Sequence, residues 1–249
     1  HLLLTAPKGT GKTLLAKAFA RCLLDSDTLK PKAFLELNCA TIKNLRQFVE
    51  QIMNVYMNNN DITILFDECS ELPKDVTMAL LTILNPACTF LFATTEPQDL
   101  FHALIDRLER IDLIDYTYEE LAQILLLNLE HIKFEKDILY RIAPTLRGNA
   151  RSAQKMSKHI ISYCEAKGTS FFGDKDWYNL KRVLDILPFG MTKIEMRLLE
   201  VLKRDGMLRL YNLSAKMQMT RSAVQNGIEV YLQKLNLIEV TQNGRRLTD

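Results

Sequence analysis

Residues 2–20 read Leu2-Leu3-Leu4-Thr5-Ala6-Pro7-Lys8-Gly9-Thr10-Gly11-Lys12-Thr13-Leu14-Leu15-Ala16-Lys17-Ala18-Phe19-Ala20. A short apolar run, a loop with two glycines and a strong helix-forming segment follow one another, which is the context a phosphate-binding loop requires. Gly9 and Gly11 let the backbone turn its N–H groups toward phosphate oxygens, and the positive end of the helix dipole adds to the attraction. Gly9, Thr10, Gly11, Lys12, Thr13 and Leu14 are the expected nucleotide-binding residues. Lys12 would neutralise the β- and γ-phosphates, and Thr13 would hold Mg²⁺ through its hydroxyl. Ala6 stands where the usual pattern has glycine, and it is small enough for the loop to survive.

A second stretch supports the first. Ile62-Thr63-Ile64-Leu65-Phe66 is the continuous β-branched and aromatic run of a parallel strand buried on both faces. It ends in Asp67-Glu68, two carboxylates that would be costly to bury without partners. At the carboxyl end of such a strand they face the ligand crevice of an α/β sheet. There Asp67 would bind Mg²⁺, directly or through water, and Glu68 would orient and deprotonate an attacking water. Phe34 to Leu37 leads into Asn38, and Phe90 to Ala93 leads into Thr94-Thr95, so both strands end in a polar amide or hydroxyl. Helices expected around residues 13–24, 43–57 and 75–84 alternate with these strands and give a parallel, doubly wound α/β sheet.

The rest of the chain reads differently. Residues 191–204 place Ile194, Leu198, Leu199 and Leu202 on one helical face, ended by Asp205-Gly206. Tyr211 to Met217 reads as a second short helix, and Thr220 caps a third with a stripe of Val224, Ile228, Tyr231, Leu232 and Leu235. Leu237 to Val240 and Arg245 to Leu247 flank Asn243-Gly244, a strong hairpin signal. Three helices and a hairpin make a winged helix, a fold whose third helix commonly contacts DNA.

Composition sets the bounds. The 249 residues are 47% hydrophobic and 25% charged, the balance of an ordinary folded chain, and the length suggests two or three domains. No apolar run approaches the length of a membrane span, so a membrane partner is not expected. Cys22, Cys39, Cys69, Cys88 and Cys164 are odd in number with no C-x-x-C pair, which argues against a disulfide framework and for a cytoplasmic location. The four histidines are scattered and offer no metal-ligand spacing. A net charge of +2 names no partner, but its distribution is uneven. Residues 1–116 sum to −4, residues 117–184 to +3 and residues 186–249 to +4, a pattern that permits a polyanion-binding tail.

The phosphate loop, Asp67-Glu68, Ala93-Thr94-Thr95, Ala103-Leu104-Ile105-Asp106-Arg107-Leu108, Tyr116 to Leu121, Leu146 to Ala153 and the terminal winged helix, in this order, resemble the AAA+ ATPases and, within them, the RuvB branch-migration motors. The resemblance implies three domains: an AAA+ large domain over 1–116, a small helical lid over 117–185 and a DNA-binding winged helix over 186–249. It implies ATP and Mg²⁺ as cofactors. It also implies a ring, most simply a hexamer of identical subunits, that hydrolyses ATP at subunit interfaces to translocate double-stranded or branched DNA, with branch migration of Holliday junctions as one task. Thr95, or its neighbour Thr94, would be the first sensor of the γ-phosphate. Asn38 would restrain Glu68 until DNA is engaged. Arg107 would be the arginine finger reaching the adjacent subunit's nucleotide, and Arg151 the second sensor. Tyr116 would pack near the nucleotide, and Arg221, Arg245 and Arg246 would reach DNA phosphates.

The chain also departs from that family. Only 26 residues separate Glu68 from Thr95, too few for the family's hairpin that contacts RuvA, so a RuvA-type partner is not expected. Ile105 replaces an arginine, Val240 stands where a basic wing residue belongs, and the sequence starts at the first strand without the segment that helps hold the adenine. Two other readings stay open: a clamp-loader or initiator type in which ATP sets an assembly state, and a nucleotide-dependent scaffold that binds protein through the winged helix. Both Asp67-Glu68 and Arg107 disfavour the scaffold, which has no use for a water-activating carboxylate.

Overall fold

The computed structural model describes residues 1–24, 30, 32–53, 62–84 and 89–248. Five strands, β1 (Leu2–Thr5), β2 (Ala33–Asn38), β3 (Ile62–Asp67), β4 (Thr89–Thr94) and β5 (Glu109–Asp112), pair in the order β2-β3-β4-β1-β5, every pair parallel. Side chains alternate between the faces of a strand, and the apolar runs supply both sides. Leu3, Ile64, Phe66, Phe90 and Phe92 share one core with Phe48, Val76, Leu80 and Leu104, which come from α2 (Leu45–Phe48), α3 (Lys74–Ile83) and α4 (His102–Ile105). Leu4, Leu65, Leu91 and Ala93 face the other way onto Ala16 and Ala20 of α1 (Lys12–Cys22). Small residues at i and i+4 on α1 present one face to the sheet.

This is the expected doubly wound parallel sheet. The helix expected over 43–57 begins as α2 and continues as a wider turn through Met53; residues 54–57 of that expectation lie outside the described residues. The strand order seats β4 between β1 and β3. The phosphate loop after β1, the carboxylates after β3 and the threonines after β4 therefore emerge side by side at the carboxyl ends of adjacent strands. Among the described residues the segment from Glu68 to β4 holds only a 3₁₀ turn and α3, so the RuvA-contacting hairpin has no counterpart there.

Two compact units divide the chain. The first comprises residues 1–130 and 148–161. Besides the sheet it contains α5 (Tyr118–Asn128), opened by a reciprocal cap in which the Thr117 hydroxyl accepts from Glu120 N and the Glu120 carboxylate accepts from Thr117 N. The second unit comprises residues 131–147 and 162–249. It holds the parallel pair β6 (Lys133–Phe134) and β7 (Phe171–Phe172), α6 (Ile138–Ile142), α8 (Asp174–Val183) and the terminal winged helix. The long helix α7 (Ala150–Lys167) contributes residues 150–161 to one unit and residues 162–167 to the other.

The winged helix has α9 (Lys193–Asp205), α10 (Leu210–Met217), a third helix that runs as a π-type turn over Ala223–Glu229 into α11 (Val230–Lys234), and the antiparallel strands β8 (Ile238–Val240) and β9 (Arg245–Leu247). Leu198, Leu202, Val224, Ile228, Tyr231 and Leu232 are buried as expected, whereas Ile194 in the first turn of α9 stays half exposed. The hairpin tip is displaced by one residue from the expected Asn243-Gly244. Thr241 N donates to Gly244 O at 2.8 Å and Gly244 N to Thr241 O at 3.3 Å, leaving Gln242-Asn243 at the tip. Gly244 is needed for another reason: Leu208 bridges to Arg245, and a Cβ on Gly244 would stand 2.6 Å from Leu208 O. Among the described residues no helix is long and apolar enough to cross a membrane, and Cys22, Cys39, Cys69 and Cys164 are all free.

Candidate nucleotide-hydrolysis site

The phosphate loop is built by glycines at φ values other residues rarely adopt, +90° at Gly9 and +99° at Gly11. Thr10 is buried with its hydroxyl on Pro7 O at 2.8 Å. Lys12 is also buried, and its Nζ donates to Ala6 O at 3.0 Å and to Pro7 O at 3.4 Å. Burial lowers the Lys12 pKa, opposed by the charges of Glu68 and Asp67. A polyphosphate alongside would add negative charge and favour the ammonium form.

Asp67 and Glu68 finish β3. The Thr13 hydroxyl donates to Asp67 Oδ2 at 2.8 Å, and Asp67 Oδ1 accepts from Glu68 N at 3.1 Å. A hydroxyl and one carboxylate, both hard oxygen donors, suit Mg²⁺, which takes few protein ligands and completes its shell with water and phosphate oxygens. No cluster of three or more His, Cys, Asp or Glu competes for a cation among the described residues. Glu68 sits at φ 53°, ψ 48°, a left-handed conformation that costs a non-glycine residue about 1–2 kcal/mol. Such strain at a strand end is the sort that clusters at active sites. The thiols of Cys39 and Cys69, one residue beyond Asn38 and Glu68, are pushed up by burial first; the neighbouring Cys69 and then Asp67 and Glu68 add to this at Cys39, and Asp67 and Glu68 at Cys69, which reaches about 12. They stay protonated and bring no nucleophile to the site.

Lys12, Thr13, Asp67, Glu68 and Arg151 line one cavity of about 250 Å³. Tyr116, Gly11 and Leu14 line this cavity and a neighbouring one of about 520 Å³, which is walled by Leu15, Ala18, Leu113 and Ile114. A polar cavity that shares a wall with an apolar one suits a polyphosphate joined to a base and sugar. Tyr116 also donates its hydroxyl to Thr10 O at 2.9 Å. Asn149 was not singled out from the sequence as a site residue. Its amide Nδ2 donates to Lys8 O at 2.7 Å, while its Oδ1 accepts from Ser152 N at 3.1 Å and so caps α7. The residue type signals a cap; its reach to a loop 141 positions away has no local signature.

The remaining expected residues are placed as follows. Thr94 is fully buried, donating to Ser70 Oγ at 2.9 Å and accepting from Glu96 N at 3.0 Å, so its hydroxyl is engaged in the turn after Glu68. Thr95 is half-buried at the end of β4. Asn38 pairs across the strands with Asp67, and its side chain accepts from Ala40 N. Arg107 is exposed, lies outside the cavity lining, and donates to Leu81 O in the last turn of α3. Arg221 is exposed at the start of the third winged-helix helix. Arg246 pairs with Glu239 on the wing.

Arg245, expected as a phosphate contact, is paired within the winged helix. It makes two hydrogen bonds to Glu229, at 2.9 and 3.3 Å, with side-chain exposures of 12% and 1%. A buried bidentate pair is held against exchange for a solvent-exposed phosphate, because release would strand the Glu229 carboxylate.

A Cβ on Gly9 would fall 2.5–2.9 Å from the Asn149 amide group at a backbone φ of +90°. Gly9→Ala should therefore weaken binding of a non-hydrolysable ATP analogue by at least about tenfold, the equivalent of about 1.4 kcal/mol. Isothermal titration measures it, and unchanged affinity would show that the loop does not bind through this conformation.

A phosphate loop beside a threonine–aspartate pair and a strained glutamate, on a β2-β3-β4-β1-β5 sheet, is the machinery of an AAA+ ATPase. Residues 2–116 match the family model "ATPase family associated with various cellular activities (AAA)", and residues 188–249 match that of the RuvB C-terminal winged helix domain. The chain is thus RuvB-like, with an ATP-hydrolysing AAA domain in its first part and a RuvB-type winged helix at its end. It is 26% identical over 264 residues to the Holliday junction branch migration complex subunit RuvB of Wolbachia sp. subsp. Brugia malayi, spanning all of this chain and 81% of that one. It is likewise 26% identical over 274 residues to the subunit of the same name from Fusobacterium nucleatum subsp. nucleatum, covering all of this chain and 80% of the relative. The solved Thermotoga maritima RuvB, described as a Holliday junction branch migration motor, shares the fold with a TM-score of 0.79 at 22% identity, over all of this chain and 84% of the other.

Proposed function

We propose that this ATPase assembles into a ring of identical subunits, most simply a hexamer, and uses ATP hydrolysis to translocate double-stranded or branched DNA in the cytoplasm. Branch migration of Holliday junctions is the task suggested by its relatives' names. The reading rests on one observation. Lys12, Thr13, Asp67, Glu68 and Arg151 line a single cavity, while Arg107 lies exposed and outside it, as expected of a group that serves a neighbour's site. Bound Mg²⁺ would neutralise charge between the phosphates, held by Asp67 and the Thr13 hydroxyl. Lys12 and the loop N–H groups would hold the polyphosphate, Glu68 would orient the water and take its proton, and Thr95 and Arg151 would report the γ-phosphate.

ATP turnover should rise with duplex or four-way-junction DNA, and a rate indifferent to both would end the motor reading. Arg221→Ala with Arg246→Ala should weaken duplex binding and make the salt dependence shallower, by roughly one phosphate contact for each arginine lost. Fluorescence anisotropy at several salt concentrations measures both. Unchanged binding would instead favour a winged helix that docks protein, a reading helped by the exposed Val240 and the internally paired Arg245 on the wing.

A further inference from the structure

The chain passes between the two compact units at three places, after Glu130, Arg147 and Ile161, and the second of these is the peptide bond joining Arg147 to Gly148. Each side of that bond is tied firmly within its own unit. Downstream, Gly148 O accepts from Tyr116 N at 3.1 Å, the Asn149 side chain donates to Lys8 O at 2.7 Å, and Arg151 N donates to Gly9 O at 3.3 Å. Residues 148–151 are thereby fastened to the phosphate loop and to the tyrosine that abuts it.

Upstream, the Arg147 guanidinium donates to both oxygens of Glu195, at 2.8 and 3.2 Å, and the glutamate side chain is only 3% exposed. The same guanidinium carbon lies 3.5 Å from the centroid of the Tyr231 ring, within the range of a cation–π contact. Tyr231 in turn donates its hydroxyl to Phe189 O at 2.5 Å. Glu195 also accepts from Thr192 N at 2.6 Å, closing the cap of α9. One arginine thus grips α9 and α11 of the winged helix together.

Arg147 and Gly148 are consecutive residues at positive φ, 59° and 70°. A side chain at Gly148 would collide with Asp115, whose Cβ would be 2.8 Å away. A bidentate fork is a pre-organised attachment that a flexible ammonium cannot copy.

We infer that Arg147 is a positioning residue that couples the winged helix to the nucleotide site through the Gly148–Arg151 segment. The inference rests on the ATPase reading of the cavity lined by Lys12, Glu68 and Arg151. A nucleotide that orders residues 148–151 pulls on Arg147 and orders α9 and α11; a load on the winged helix is felt at Arg151 by the same route. Coupling of this kind is reciprocal in binding free energy.

Hydrogen exchange on the full chain, with and without a non-hydrolysable ATP analogue and Mg²⁺, tests it. In the parent, the analogue should slow exchange about tenfold both at residues 9–15 and at residues 193–202 and 228–234, within the usual range of coupling between sites. In Arg147→Lys and in Glu195→Gln, each first confirmed as folded by circular dichroism, slowing at 9–15 should persist while slowing in the winged helix is lost. The ratio of rates with and without analogue separates coupling from stability, since a merely loosened unit exchanges faster in both conditions. A winged-helix response equal to the parent's in either folded variant overturns the role of Arg147. A parent that slows at 9–15 alone overturns the coupling itself. A parent with no slowing at 9–15 overturns the nucleotide reading first and the coupling with it, so the two failures are told apart.

Discussion

Glu68→Gln is expected to lower ATP turnover by about 10²–10⁴-fold, the usual worth of a positioned general base, while ATP binding stays close to the parent level. Glutamine keeps the size of the side chain and the left-handed backbone at this position, so the threonine–aspartate pair and the loop geometry should survive. What is lost is the ability to take a proton from the attacking water. Steady-state phosphate release gives the first quantity and titration with an ATP analogue the second. ATP should remain trapped on the variant, and its assembly should persist as long as nucleotide is bound. Turnover at the parent rate would remove Glu68 from the chemistry and turn attention to another group that orients water.

Arg107→Ala should have the other large effect, a loss of about 10³–10⁵ in turnover, the range associated with arginine fingers. The side chain does not line the cavity of its own chain, and it donates a hydrogen bond to a helix-end carbonyl, Leu81 O. Such a bond is one water readily replaces, so the guanidinium is available to a neighbour at small cost. A mixing experiment follows from this geometry. Subunits carrying Arg107→Ala still own Glu68, and subunits carrying Glu68→Gln still own Arg107. Together they should recover turnover that neither shows alone. No recovery from variants that do co-assemble would place the stimulating arginine elsewhere, with Arg110, paired here with Asp112, as the next residue to replace.

The parts of this molecule legible from its sequence are those governed by neighbours along the chain. The β1–loop–α1 unit is specified by a short apolar run and by two glycines within a few residues, and β3 announces itself by an uninterrupted run that only a doubly covered strand tolerates. Asp67 and Glu68 follow from chain position once that strand is placed. Asn149 was legible as a helix cap and illegible as a clasp on Lys8, because no periodicity encodes a contact across most of the chain. The same blindness applies to Arg245. Its sequence context is an exposed-looking wing, and only folding brings Glu229 of the preceding helix against it. Resemblance placed Arg245 on DNA by position, while the partner that neutralises it is set by tertiary packing. Arg147 passed unremarked among the basic residues of its segment for a related reason: its value lies in two partners from separate helices. The displaced hairpin tip is a smaller case, in which Gly244 answers to a neighbouring strand segment at Leu208 and not to its own turn.

The clasp on the phosphate loop has a consequence for the order in which the protein is made. Carbonyls of Lys8, Gly9 and Thr10 find their partners in Asn149, Arg151 and Tyr116, all far downstream. A ribosome adding about 5–20 residues per second exposes the loop early and delivers the last of these partners roughly ten seconds later. The loop is thus synthesised well before the residues that fix its final form. A nascent chain arrested before residue 149 should carry a loop without its clasp, and arrest beyond residue 151 should be the first point at which nucleotide can be held.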